Sequence, residues 1–326
     1  MGYGNYSHAA HSALIADRAH QSRDEVFAQT QCHALMNPQG LKVREARDSA
    51  DHPDSVPIAF ALDVTGSMGH IPDLLARQEL PGFMKLLQDF GIAHPQLLFM
   101  AIGDATSDNA PLQVGQFEST AELMDQWLTW SYLEGGGGGQ NHESYELAFY
   151  IAAQHTDHDH WNQRGKKGYL FLTGDELPYP YVSKHQVGSL IGDQLDEDLP
   201  IAEVIAAAAE RYHLYFLIPA LNRRENCEKP WRQLLGDHVI CLEDPQDTCA
   251  VAAALIAQNE GVLSGADRIA QALSASGMPG ERIGAVIRAV EGSTSLFAAG
   301  DQDAAQAHDT PGAPAKPTSW WKKLFG

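Results

Sequence analysis

The chain has 326 residues, 44% of them apolar, enough to build a sizeable core in one large domain with extensions or in two small ones. Its 22 basic and 42 acidic residues leave a net charge of -20, which argues against non-specific DNA or RNA binding and makes the surface hospitable to a cation. No apolar stretch reaches membrane-spanning length, and residues 1–21 are polar and His/Ala-rich without the apolar centre of a secretory signal, so a cytoplasmic protein with no stable membrane insertion is expected.

Residues 1–55 form an N-terminal extension. A helix is expected over 7–26 and a strand over 27–33, ahead of the turn signal Asn37-Pro38-Gln39-Gly40. Residues 41–49 are charged and extended, and His52-Pro53-Asp54 is a loop. The chain is organised around 58–69, Ile-Ala-Phe-Ala-Leu-Asp-Val-Thr-Gly-Ser-Met-Gly. This apolar run is too short for an ordinary helix and is closed by Gly66 and Gly69, which suits a buried strand running into a loop with oxygen-bearing side chains. Next come a helix over 71–90 interrupted near Pro81, a strand at 97–102, an edge-like strand at 112–117, and an amphipathic helix at 120–130 capped by Thr120 or Ser119. Five glycines at 135–139 open a helix at 143–155, and a strand at 169–173 precedes an Ala-rich helix at 201–212. A strand at 213–220, a short helix starting at 231–235, a strand at 239–242 and a helix at 247–259 follow. Such alternation predicts an α/β domain over 56–260 with a doubly wound, mostly parallel sheet flanked by helices. Residues 261–292 read as a small helical appendix, 293–318 as a disordered linker rich in Ala, Asp, Gln and Pro, and 319–326 as a Trp/Lys-rich tail. In that tail Trp320, Trp321 and Phe325 suit a peptide that docks in a partner groove, with folding back onto its own domain as the close alternative.

Ligands of open α/β sheets gather beyond the carboxyl ends of the strands, where three loops should meet. These loops carry Asp63, Thr65 and Ser67; residues 135–144; and Thr173-Gly174-Asp175-Glu176. Their side-chain donors are oxygens, which favours a hard cation: Mg²⁺ first, with Mn²⁺ or Ca²⁺ also admitted. Hydroxyl ligands are neutral, so a metal held by Thr65, Ser67 and waters, with Asp63 and Asp175 partly behind them, keeps enough charge to attract a carboxylate from outside. Asp, Thr and Ser in this spacing also suit a helix cap and turn. Asp104 reads equally as an acid behind the ligands or as a plain loop residue. An aspartyl-phosphate enzyme needs a second Asp where Thr65 stands, and Val64 breaks the Asp-Thr-Gly of an aspartic protease. The glycine run lacks the lysine of a phosphate-binding loop. His155, His158 and His160, interleaved with Asp157 and Asp159, read as a solvated helix end rather than a metal site. Cys32, Cys227, Cys241 and Cys249 form no CxxC pair and read as buried reduced thiols.

Asp63-Val64-Thr65-Gly66-Ser67 resembles the Asp-x-Ser/Thr-x-Ser signature of the von Willebrand factor type A domain, whose metal-ion-dependent adhesion site is often completed by a partner's acidic residue. Ala101-Ile102-Gly103-Asp104 is similar to the family's second strand and its Asp, the glycines before Glu143 to its second loop, and Leu172-Thr173-Gly174-Asp175 with Pro178 to its third. The likeness runs over about residues 56–258 and is nearest the intracellular, bacterial-type and alpha-kinase-associated branch. It implies a metal held by Asp63, Thr65, Ser67, Glu143 and Asp175, with Asp104, Asn141 and Thr173 in support. Where many members place a second-loop Thr, this chain offers residues 140–144, and Glu143 as a direct ligand would reduce the metal's residual charge. The order Thr-Gly-Asp at 173–175 also differs from the commoner Thr-Asp-Gly. The resemblance implies a non-enzymatic adaptor or scaffold that binds a partner's Asp or Glu through the metal, in some members alongside an AAA+ ATPase or a kinase. The alternatives are a metal-assisted hydrolase with Glu143 or Asp175 as base, and a metal that only staples the loops.

Overall fold

The computed structural model describes residues 4–66, 68–136, 141–219 and 221–294, with backbone only for 293 and 294. Ser67, residues 137–140 and the tail carrying Trp320, Trp321 and Phe325 lie outside the described residues.

Strand β1 (Val56–Asp63) is buried along its whole length, which is why its sequence is continuously apolar instead of alternating: helices cover both of its faces. Around it lie β2 (Pro95–Ile102), β3 (Leu112–Val114), β4 (Gly168–Thr173), β5 (Tyr212–Ile218) and β6 (Val239–Cys241). The six strands run in the order β6-β5-β4-β1-β2-β3, all parallel except β3, which pairs antiparallel at the edge. The fold is thus α/β and doubly wound, and strand order reverses between β1 and β4. The crevice for a ligand in such a sheet lies beyond the carboxyl ends of those two strands.

One face of the sheet is aromatic. Phe60 lies 6.1 Å from Phe99 and 5.4 Å from Phe171, ring centre to ring centre, and meets Phe83 edge-on at 5.4 Å. Phe83 belongs to a helical run of three consecutive pieces, His70–Leu74, a π-turn Leu75–Glu79 and Leu80–Asp89. The interruption expected near Pro81 is this π-turn. Pro81 has no N–H and its ring crowds the carbonyl of Arg77, so the preceding turn widens and the helix does not break. On the other face Ala59 and Ala61 leave room for helix α1 (Tyr145–Gln154), whose residues 145–152 are all buried.

Several local expectations change. The helix expected over 7–26 is two, His8–Arg18 and Arg23–Val26, the second started by a capping box between Ser22 and Glu25. Residues 27–33 form no strand: Phe27 drops into the core, and His33 stacks on Trp130 at 3.9 Å. The extended piece is Arg44–Ala46, paired parallel with Thr156–His158. The helix expected to start at Trp231 starts at Arg224 and runs to Leu235 with Pro230 inside it. Glu228 bridges Arg224 and Arg232 at helical spacing there, and fully buried Trp231 anchors the run against the sheet. Thr120 is the cap of helix Ala121–Thr129. Helices Ala266–Ala275 and Gly280–Thr294 press Ile269, Leu273, Val286 and Val290 into the same core as Phe60. Among the described residues no helix is long and apolar enough to cross a membrane.

Candidate cation site above strands β1 and β4

Asp63 ends β1 fully buried, and each of its oxygens is spoken for. Oδ1 accepts from the Thr65 backbone N–H at 2.9 Å and from the Thr65 hydroxyl at 2.6 Å, while Oδ2 accepts from the Tyr145 hydroxyl at 2.5 Å. Burial lifts the Asp63 carboxyl to about 6, against the pull of these hydrogen bonds, and the nearby Asp175 charge adds to the rise. Tyr145 reaches Asp63 across Gly174. A Cβ on Gly174 would collide with the Tyr145 ring and hydroxyl, so the glycine of the third loop exists to let that ring pass.

The loops are clipped to one another by backbone. Gly66 N–H donates to Gly136 O at 3.0 Å, joining the first loop to the second. Ser144 N–H donates to Gly103 O at 3.1 Å, and the Ser144 hydroxyl accepts from Ala105 N–H at 2.9 Å. His142–Glu143 pairs parallel with Leu177–Pro178, and the Asn141 carbonyl accepts from Leu177 N–H at 3.0 Å. The Asn141 side chain is exposed.

Within this frame the acids gather. Glu143 is 1% exposed and its Oε2 has no hydrogen-bond partner. Burial, then the charges of Asp63, Glu176, Asp104 and Asp108, push its carboxyl up to about 9. Glu176 is half-buried and its Oε2 also lacks a partner; burial followed by Asp175, Asp63 and Asp104 raises it to about 7, with Arg223 opposing. Asp175 is 3% exposed and ion-paired with Arg223, which follows β5. Asp104 is fully buried and fully partnered: Oδ1 takes Thr106 N–H at 2.9 Å and the Tyr179 hydroxyl at 3.0 Å, and Oδ2 takes the Ser107 hydroxyl at 3.1 Å. It ties its own loop together. Thr173 stands apart from Asp63, because strand alternation puts it on the face shared with Leu62 and Phe171, whereas Asp63 follows Ala61 and Leu172 on the other. Its hydroxyl is buried without a partner.

Asp63, Thr65, Glu143 and Asp175 are therefore brought to one place, and the structure adds Tyr145, Glu176 and Arg223. Glu176 stood in the third loop read from the sequence without a role of its own, whereas Tyr145 and Arg223 carried no readable sequence signal. Among the described residues no three His, Cys, Asp or Glu side chains form a ready metal cage by themselves. The donor set nevertheless fits a hard divalent cation that takes hydroxyls and waters together with carboxylates: it is all oxygen, and two of its carboxylate oxygens are buried with nothing to bind.

The histidine run is not solvated. His155, His158 and His160 are 6%, 1% and 2% exposed, each held differently: His155 between Lys42 O and Asp193, His158 capping Trp161 N–H, and His160 on Glu260. All four cysteines are free; Cys227 and Cys249 are buried, Cys32 and Cys241 half-buried.

No family model matches the chain, and no curated protein does. Solved structures similar to it include proximal thread matrix protein 1 of the mussel byssus, at 10% identity and a TM-score of 0.39 over 67% of this chain. Others are the pilus adhesin SpaC of Lactobacillus rhamnosus GG, at 13% identity and 0.40 over 69%, and a von Willebrand factor type A protein from Catenulispora acidiphila, at 12% and 0.40 over 72%. The chain spans 49%, 33% and 53% of the lengths of these three.

Proposed function

We propose that this chain is a metal-dependent protein-binding module of the von Willebrand A type. A divalent cation, Mg²⁺ in the first place, is held above β1 and β4 and receives an Asp or Glu of a partner protein. The observation that carries this reading is Glu143, whose Oε2 is buried without a partner beside Asp63, Asp104, Asp108 and Glu176. Uncompensated buried carboxylates cost several kcal/mol each, about 2–7 even for a neutral polar group, and a cation among them removes that cost. Thr65 and Ser67 are the neutral ligands in this reading, Asp63 and Asp175 orient them and the waters, and Glu143 contributes charge. Arg223 neutralises Asp175. That pairing offsets the charge Glu143 takes from the metal and preserves its attraction for an outside carboxylate. The cation supplies Lewis acidity toward that carboxylate; the site binds and does not turn over. A scaffold or adaptor working beside an AAA+ ATPase or kinase is the setting the sequence resemblance suggests.

Calorimetric titration of Mg²⁺ into the intact chain and into Asp63→Ala, followed by partner capture with each, tests the reading. Loss of both Mg²⁺ binding and partner capture is expected. If the substitution abolishes Mg²⁺ binding but leaves capture intact, the metal is a staple and the adhesion mechanism is wrong.

A further inference from the structure

A net charge of -20 and a cluster of six carboxylates are poor surroundings for an acidic partner residue, so positive charge at the lip of the site matters more here than on a neutral protein. Arg223 is already paired with Asp175. Arg23 is different. It lies on the short helix Arg23–Val26, is exposed, and its guanidinium reaches the first loop at Gly69, where a Cβ would stand 2.5 Å from Nη2. Gly69 has an ordinary φ of -59°, so the backbone does not call for glycine there; the missing side chain makes room for the arginine.

Arg23 also lines a cleft of about 350 Å³ with Asp24, Phe27, Gln29, Tyr132 and Leu133. Leu133 leads into Glu134 and the glycine loop, whose Gly136 carbonyl holds Gly66, so one wall of the cleft continues into the site. The segment carrying Arg23 is fixed. Arg18 makes a two-pronged ion pair with Asp125 and donates to Ala76 O at 3.2 Å, Arg77 donates to Gln21 O at 3.0 Å, and Val26 and Phe27 are buried in the core. A planar fork of donors on so rigid a base is preorganised for a carboxylate. Asp24 at the same lip works against a general basic patch and leaves a point anchor.

We infer that Arg23 is a second anchor for the partner: the recognised segment is an acidic peptide in which one carboxylate meets the cation and another meets Arg23. This rests on the cation reading above. Fluorescence anisotropy with two labelled peptides, one with two glutamates separated by glycines and one with a single glutamate, tests it in Mg²⁺ and in EDTA. Arg23→Glu should weaken the two-glutamate peptide by about tenfold, Arg23→Lys by less, and neither should move the single-glutamate peptide. Thermal melts of the variants should match the wild type, since Arg23 is exposed. Magnesium-dependent binding of the two-glutamate peptide that is indifferent to Arg23→Glu overturns the anchor and leaves the cation reading standing. Peptide binding that survives EDTA, or is missing from the wild type, overturns both.

Discussion

Gly174 and Tyr145 form a tight steric pair beside the site, and neither is intelligible without the other. The Tyr145 ring passes through the space a Gly174 side chain would fill and delivers its hydroxyl to Asp63 at 2.5 Å. Gly174→Ala should cost roughly 1–3 kcal/mol in urea unfolding, as overpacking does. In a Tyr145→Ala background the same change should cost much less, because the clash is gone; equal costs in the two backgrounds would contradict the pairing. At this scale the sequence is half readable. Asp63 and Thr65 are two residues apart and announce themselves as an acid followed by a hydroxyl. Tyr145 is 82 residues from Asp63 and Arg223 is 48 from Asp175, and nothing local in a helical tyrosine or a loop arginine reveals such a partner.

Helix α1 links two polar ends. Its first residue, Tyr145, touches the candidate site, and the residue after its last, His155, locks its other end. The His155 Nδ1 lies 2.7 Å from Lys42 O and Nε2 lies 2.7 Å from Asp193, which also accepts from the Tyr150 hydroxyl at 2.7 Å. A carbonyl only accepts, so Nδ1 carries a proton, and a carboxylate on Nε2 favours the imidazolium. Burial lowers the affinity of His155 for its proton, but the hydrogen bonds its ring donates to Asp193 and to the Lys42 carbonyl outweigh it and the pKa rises above 6.5. A raised folded pKa means this contribution is fully present below pH 6.5 and is lost as pH rises through the folded value. His155→Gln should therefore lower the melting temperature more at pH 6 than at pH 9; an equal loss at both would show that the ring acts by packing alone. The strands were the legible elements, since β1, β2, β4 and β5 each contain an apolar run of at least four residues. The misread ones depended on distant partners: residues 27–33 lose their strand because Phe27 is pulled into the core, and the histidines look solvated in sequence because Lys42, Asp193 and Glu260 are far along the chain.

For the whole molecule, strand order decides where chemistry can occur. The reversal between β1 and β4 places the Asp63 loop beside the Thr173–Glu176 loop, and the two-residue ladder between His142–Glu143 and Leu177–Pro178 brings the second loop alongside. The doubly wound class was legible from alternation alone. The walls of the site were less so, because the N-terminal segment that carries Arg23 is joined to the domain through side chains such as Arg18 and Asp125, whose pairing leaves no local pattern. The charge of -20 is spread over the chain, and among the described residues the buried, unbonded oxygens of Glu143 and Glu176 lie here beside other acids. Asp63→Asn removes the charge of the central acid while keeping an acceptor for Thr65, and so tests the site with less risk to the fold than a truncation. The most direct measurement is electron paramagnetic resonance of Mn²⁺ titrated into wild type and into Asp63→Asn, with thermal melts as a check on folding. Quenching of the free-ion signal up to one Mn²⁺ per chain in the wild type, and its loss in the folded variant, is the predicted result; equal uptake by both, or none by the wild type, contradicts a cation held above β1 and β4.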